Sequence, residues 1–370
     1  MTALLSKLTK LPTWPLLQAR RGWIGVDVGS RAIKLAQVER DGAGFRLAGR
    51  WVIDSEDEPL LKTPAFRDGT FERTTAQVEK VRGMFRGSAA TLSLPSSVVE
   101  MRSLELPSGS PEELLAMVQD ELSADDTAES GERAFDLWHC GDPSHADDVS
   151  RLTVVSLQKD VAARVAADLL RTGLHCQVLD AVPCALARAV RMCDPNNASE
   201  PAAALDLGYS SAMLAVVVDG RPTFCRAFRG CGLQALMQPL QDKLGVSPAE
   251  CRQLLRQFGL GGCKEAAGSA AAQATLQIIS APLENLVGEL QRTWSFLNQQ
   301  YRELVPQRVW LFGGGASIRN LPAHLSGRTG VPTQFWQLNG GRSESCDASE
   351  ALFGGAAALS ALAWEAGTCT

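Results

Sequence analysis

The chain has 370 residues, is 45% hydrophobic, and sets 36 Lys and Arg against 41 Asp and Glu for a net charge of -5. That length suffices for two substantial cores, so two lobes are expected. The acidic balance and the lack of a long basic stripe exclude a general nucleic-acid binder, which needs a cationic face.

The chain begins "MTALLSKLTKLPTWPLLQARR". Leu4, Leu5, Leu8 and Leu11 can share one face of a short helix beside lysines. The stretch reads either as a tail, frayed or docked on a partner, or as a segment lying on an anionic membrane surface. It has no signal-peptide core, and no apolar run in the chain reaches the roughly 18–20 residues of a membrane helix. The chain is therefore expected in the cytoplasm. Its ten cysteines show no CxxC pair and read as small apolar core residues of a reducing compartment.

Residues 22–53 read as a strand closing on Asp27, a turn at Gly29 and Ser30, a returning strand carrying Lys34, an Asp41-Gly42 turn and a third strand. "AATLSLPSSVVEMRSLELP" supplies two β-rich runs, and Ser110 with Glu113 three residues later marks a capping-box helix start. From Asp120 to Asp148 the chain is acidic and turn-rich. His139, Cys140, His145, Asp147 and Asp148 have no ligand-frame spacing there and read as solvated surface. "RLTVVSLQ" resumes as a strand before the helix "DVAARVAADLLRTG".

Residues 202–229 repeat the opening pattern: a strand closing on Asp206, Gly208 two residues on, a second strand, an Asp219-Gly220 turn and a third strand. A duplicated meander, one per half, is a fold-level signal. Helical periodicity dominates from "GLQALMQPLQDKLG" through "LENLVGELQRTWSFLNQQYREL". Trp294 and Phe296 cannot share a helix face, so one is expected in the core and the other at a partner or lobe contact, with Trp294 a candidate self-association contact. "QRVWLFGGG" then returns as a buried strand ending in Gly313, Gly314 and Gly315, and a small-residue helix closes the chain.

A strand ending in Asp-x-Gly-x-Ser presents N–H groups and a hydroxyl to a phosphate and holds the acid back for a metal bound through water. Lys34 can reach the same phosphate as a point charge. One such hairpin is usually a plain tight turn. Two, with Asp27 and Asp206 facing, can clasp the phosphates of a nucleotide and Mg²⁺, while the three glycines let backbone approach the nucleoside.

The segments "IGVDVGSRAIKLAQV", "AALDLGYSSAMLAVVVDG" and "VWLFGGGASIRNLPAHLSGRTGVPTQFW" resemble the phosphate-one, phosphate-two and adenosine motifs of the actin, sugar-kinase and Hsp70 superfamily. With the intervening "LSLPSSVVEMRSLELP", "EELLAMVQDEL" and "GLHCQVLDAVPCALARAV", the chain from Gly22 onward is most similar to the PilM family of type IV pilus assembly, relatives of FtsA. The resemblance implies an α/β, two-lobed actin-like (ribonuclease H-like) fold with an inserted α+β subdomain. On it, 1–21 is a tail, 22–89 a first lobe completed by 181–200 and 346–366, and 90–180 the insertion. Residues 201–345 form the second lobe, with a helical insertion at about 239–305.

The resemblance assigns Asp27, Gly29, Ser30, Arg31 and Lys34 to the first phosphate loop. It assigns Asp206, Gly208, Tyr209 and Ser210 to the second, and Gly313, Gly314 and Gly315 to the adenosine loop. ATP is the implied ligand, with Mg²⁺ held by Asp27 and Asp206 through water. Arg31 and Tyr209 stand where relatives carry smaller residues; Arg31 either adds a phosphate contact or fills phosphate space. "DAVPCALARAV" offers Asp180 as base or strand-end cap but no glutamine or histidine, so hydrolysis is expected to be slow at most.

The implied function is an ATP-binding scaffold that binds the cytoplasmic N-terminal peptide of a PilN-like bitopic inner-membrane protein in a groove beside the insertion. It would be held at the membrane periphery through such partners and other pilus components. Self-association stays open. The alternatives are a nucleotide-free adaptor like GspL of type II secretion, or a small-molecule kinase.

Overall fold

A computed structural model of the chain describes residues 21–41, 44–54, 71–96, 98–124, 132–139, 149–260, 270–338 and 348–365. The N-terminal leucines, Gly42 of the first Asp-Gly turn, and Cys140, His145, Asp147 and Asp148 lie outside the described residues. In chain order come β1 (Ile24–Val28), β2 (Ala32–Asp41), β3 (Gly44–Asp54), α1 (Phe71–Arg82) and β4 (Ala89–Ser93). Next are β5 (Glu100–Pro107), α2 (Pro111–Ala124), β6 (Arg133–His139), β7 (Val149–Gln158), α3 (Lys159–Arg171), β8 (His175–Asp180) and α4 (Val182–Cys193). The second half has β9 (Ala202–Leu207), β10 (Ser211–Val218), β11 (Arg221–Arg229), α5 (Leu233–Leu244), α6 (Pro248–Gln257) and α7 (Ala270–Gln300). It ends with β12 (Arg308–Phe312), α8 (Leu321–Thr329), β13 (Thr333–Phe335), α9 (Ala348–Ala351) and α10 (Gly354–Ala361).

Two five-stranded sheets share one topology, β3-β2-β1-β4-β8 and β11-β10-β9-β12-β13. In each, an antiparallel meander supplies three strands and two parallel strands complete the sheet on the far side of the first. The duplicated hairpin pattern is thus the start of two equivalent sheets, and the fold is two-lobed and actin-like, with ribonuclease H-like lobes.

The inserted block is narrower than 90–180. β4 pairs in parallel with β1, and β8 with β4, so both belong to the first-lobe sheet. α3 buries Val161, Val165 and Leu169 in the same core as Ile24, Val26 and Leu92. The separate sheet is β5-β7-β6, covered by α2 through Leu114, Val118 and Leu122. Strand pattern alone does not say which sheet a strand joins; β4 is buried on both faces, as a central parallel strand must be. The capping box at the head of α2 forms, with the Ser110 N–H donating to Glu113 at 2.7 Å and the Glu113 N–H to the Ser110 hydroxyl at 3.3 Å.

A core around α4 and α10 joins the lobes, drawing on Ala36 and Val38 of β2, Ala204 and Met213 of the second sheet, and Phe312 and Trp336. α10 is built from Gly, Ala and Ser but for Leu359, because it lies almost on β1: a Cβ at Gly25 would stand 1.9 Å from the Ala356 carbonyl oxygen. The Ser360 hydroxyl stitches the contact, accepting from the Val38 N–H at 3.0 Å and donating to the Trp23 carbonyl.

α7 buries Leu283, Leu286, Leu290, Trp294 and Leu297 in the second-lobe core. Trp294 is therefore a packing residue rather than a self-association contact. Phe296 is the outward aromatic, tilted against Phe224 and edge-on to Tyr301. Among the described residues no helix is long and apolar enough to cross a membrane, and no cluster of His, Cys, Asp and Glu is arranged to hold a metal by itself.

Candidate functional site

The first hairpin puts Asp27 and Lys34 opposite each other in the β1–β2 register. Lys34 Nζ donates to Asp27 Oδ2 at 2.8 Å, and Ser93, aligned with Asp27 on β4, donates its hydroxyl to Oδ1 at 3.2 Å. The turn closes with the Gly29 N–H on the Ala32 carbonyl at 2.9 Å. Since Asp27 and both its partners, Lys34 and Ser93, sit on paired strands, the carboxylate is held by the sheet itself.

The second hairpin matches it. A Cβ at Gly208 would meet the Ser211 carbonyl at 2.9 Å, and one at Gly29 the Ala32 carbonyl at 3.0 Å, so both turns exclude a side chain at the same place. The first N–H groups of α5 fix this loop: Leu233 donates to Gly208 and Gln234 to Tyr209, each at 2.8 Å. β12 runs parallel to β9 with Phe312 aligned to Asp206, and the chain then turns at Gly313 with φ +77°. A Cβ on Gly313 would lie 2.1 Å from Asp206 Oδ1, so only glycine lets this loop close over the acid.

These elements enclose a cleft of about 480 Å³. Asp27, Gly29, Ser30, Arg31, Lys34, Asp206, Gly208, Tyr209, Ser210, Gly313 and Gly314 all line it. Gly315 does not; it is buried where a Cβ would strike the Leu207 side chain at 2.2 Å, so it packs the loop down. Sequence reasoning missed Asp54, Arg252, Arg256 and Ser317, which also line the cleft. The two arginines come four residues apart on α6, a spacing visible in "CRQLLRQ" that carried no hint of facing the phosphate loops.

Burial pushes the Asp206 carboxyl up to about 6, against the pull of Lys34 and with the added repulsion of Asp27. Burial alone would lower Lys34, but Asp27 and Asp206 outweigh it and the amine ends above its ordinary value. The floor of the cleft thus pairs Asp27 with the Lys34 ammonium and sets the buried Asp206 carboxyl within the field of both, a density of negative charge that a divalent cation relieves. Four cationic side chains, Arg31, Lys34, Arg252 and Arg256, stand against three carboxylates, Asp27, Asp54 and Asp206. That balance suits a polyanion brought in with a metal.

Arg31 and Tyr209 meet directly. Arg31 Nη1 donates to the Tyr209 hydroxyl at 3.1 Å, and its guanidinium lies 4.8 Å from the ring centroid. Asp54 lies 3.7 Å from Arg31 and 3.5 Å from Arg252. Asp180 is engaged elsewhere: it accepts from Arg188 Nη1 and from the Ala181 N–H, each at 2.9 Å, and is not among the residues lining the cleft. Burial raises its carboxyl, with Arg188 opposing. It acts as a strand-end anchor for α4.

A family model described as type IV pilus assembly protein PilM matches residues 25–345. No curated protein sequence matches the chain. Among solved structures, the PilM-PilN type IV pilus biogenesis complex is similar with TM-score 0.72 and 19% identity, over 93% of this chain and 99% of that one. The ethanolamine utilization protein EutJ from Carboxydothermus hydrogenoformans is similar with TM-score 0.51 and 14% identity, over 92% of this chain and 89% of that one.

Proposed function

The chain belongs to the type IV pilus assembly protein PilM family, and on that premise we propose that it is an ATP-binding scaffold of pilus assembly. The observation that carries the nucleotide reading is the convergence of Asp27, Lys34, Asp206 and the Gly313 turn at one cleft floor. In this reading Ser30, Arg31 and Ser210 with the turn N–H groups receive the phosphates, and Gly313 and Gly314 border the nucleoside. The two carboxylates at the cleft floor, Asp27 and Asp206, fit Mg²⁺, which would supply positive charge between them and the phosphates.

Hydrolysis is slow or absent. The described residues lining the cleft include no Glu, Gln or His to orient a water, and Asp180 is committed to Arg188. The partner is the N-terminal peptide of a PilN-like inner-membrane protein, supported by the family and by the likeness to a PilM-PilN complex. The protein works at the cytoplasmic face of the membrane, held there through that partner.

A nucleotide-free adaptor is the second reading. It is favoured by one observation, that Arg31 and Tyr209 already bind each other inside the cleft. Calorimetric titration of ATP with Mg²⁺, with and without a synthetic peptide from the partner's tail, separates the two while phosphate release is followed. Saturable ATP binding with slow release supports the scaffold. Absence of binding turns the assignment to the adaptor, and rapid release overturns both.

A further inference from the structure

We propose that Arg31 and Tyr209 form a latch between the lobes, whose opening governs access to the cleft and the rate at which a bound nucleotide leaves. Each residue comes from the turn of one hairpin, so the contact spans two different sheets. It is made twice over, by a hydrogen bond at 3.1 Å and by the guanidinium lying over the ring. Tyr209 is rigidly mounted because its carbonyl is held by the Gln234 N–H, and a Cβ at Gly232 would stand 2.3 Å from that same carbonyl. Arg31 is only 8% exposed and is paired to Asp54 of its own lobe.

Asp54 also faces Arg252 of the second lobe, so the series Tyr209, Arg31, Asp54, Arg252 crosses the cleft at two points. The lobes are joined elsewhere by the packed core around α4 and α10. Motion between them hinges on that core, and it breaks the polar contacts at the cleft together with the bond that Trp138 of the inserted sheet donates to the Pro222 carbonyl of the second lobe.

The test places spin labels through non-canonical amino acids at Leu170 of α3 and Leu244 of α5, exposed positions in different lobes, and records their distance distribution in the full chain. Tyr209→Ala is expected to lengthen and broaden the distribution, and Tyr209→Phe, which keeps the ring and loses the hydroxyl, to fall between it and the parent. The double variant Arg31→Ala/Tyr209→Ala is expected to be no broader than either single one, as for residues acting as a unit. The arm that uses nucleotide rests on the ATP reading: release of a fluorescent ADP is expected to quicken about tenfold in Tyr209→Ala, the worth of one hydrogen bond with a cation–π contact. A distribution unchanged in folded Tyr209→Ala and Tyr209→Phe overturns the latch. If the parent binds no nucleotide, the ATP reading falls while the distances still decide the latch.

Discussion

Asp27 and Lys34 face each other across neighbouring strands, and their 2.8 Å ion pair lies at the floor of the cleft with Lys34 only 7% exposed. Asp27→Asn leaves a buried ammonium with Asp206 as its remaining counter-charge. The expected loss is about 2–3 kcal/mol in denaturant unfolding, below the full cost of a broken buried pair because Asp206 compensates in part. ATP affinity should fall with it. A variant as stable as the parent that binds ATP equally well would remove Asp27 from the site.

The pH dependence follows from Asp206. Its folded-state value of about 6 lies above the ordinary 3.8, so between those values the folded chain holds more protons than the unfolded one. Stability therefore declines as pH rises through that window and levels off above it. The expected loss is on the order of 2 kcal/mol, and Asp206→Asn should abolish that part of the profile. Because a metal takes the ionised carboxylate, binding of Mg²⁺ with ATP near pH 5.5 should release protons, and near pH 8 it should not. Calorimetry in buffers of different ionisation enthalpy reads this directly.

Gly313→Ala introduces a Cβ 2.1 Å from Asp206 Oδ1 at φ +77°. Strain and overpacking together predict about 2–4 kcal/mol of destabilisation with loss of nucleotide binding. At Gly314 the nearest side-chain atom is 3.4 Å away and φ is ordinary, so Gly314→Ala should stay within about 1 kcal/mol. Thermal unfolding of both variants checks the contrast, and equal effects would show that the turn tolerates a side chain.

Trp294 and Phe296 should part company in the same way. Trp294→Ala empties a core position and is expected to cost about 3–5 kcal/mol. Phe296→Ala trims an exposed aromatic and should cost no more than about 1 kcal/mol. Reversal of that order in chemical denaturation would contradict the packing of α7.

The duplicated Asp-x-Gly hairpins were legible because β-turn chemistry is local and repeats: Asp27 with Gly29 and Asp206 with Gly208 announce the same turn twice. The triple glycine was legible as a close approach, though the three positions divide their labour, and Gly315 packs behind the cleft. β4 was misplaced because its partner β1 lies more than sixty residues earlier, and a short apolar strand does not name its neighbour. Arg252 and Arg256 escaped notice because only the packing of α6 against α5 and the turn after Gly313 decides which face of that helix meets the cleft. Asp54 was hidden at a strand end, where its pairing with Arg31 depends on how β2 and β3 register.

The close seat of α10 on β1 has a consequence for how the protein is made. Trp23 and Ser360, joined by a hydrogen bond, are 337 residues apart in the chain. At translation rates of about 5–20 residues per second, β1 waits roughly 20–70 s on the ribosome for the helix that covers it. The second sheet is contiguous with α5 to α8 and reaches its own core sooner. The first lobe, though synthesised first, is therefore the last to close, and its uncovered apolar strand is the part of the nascent chain most in need of a chaperone.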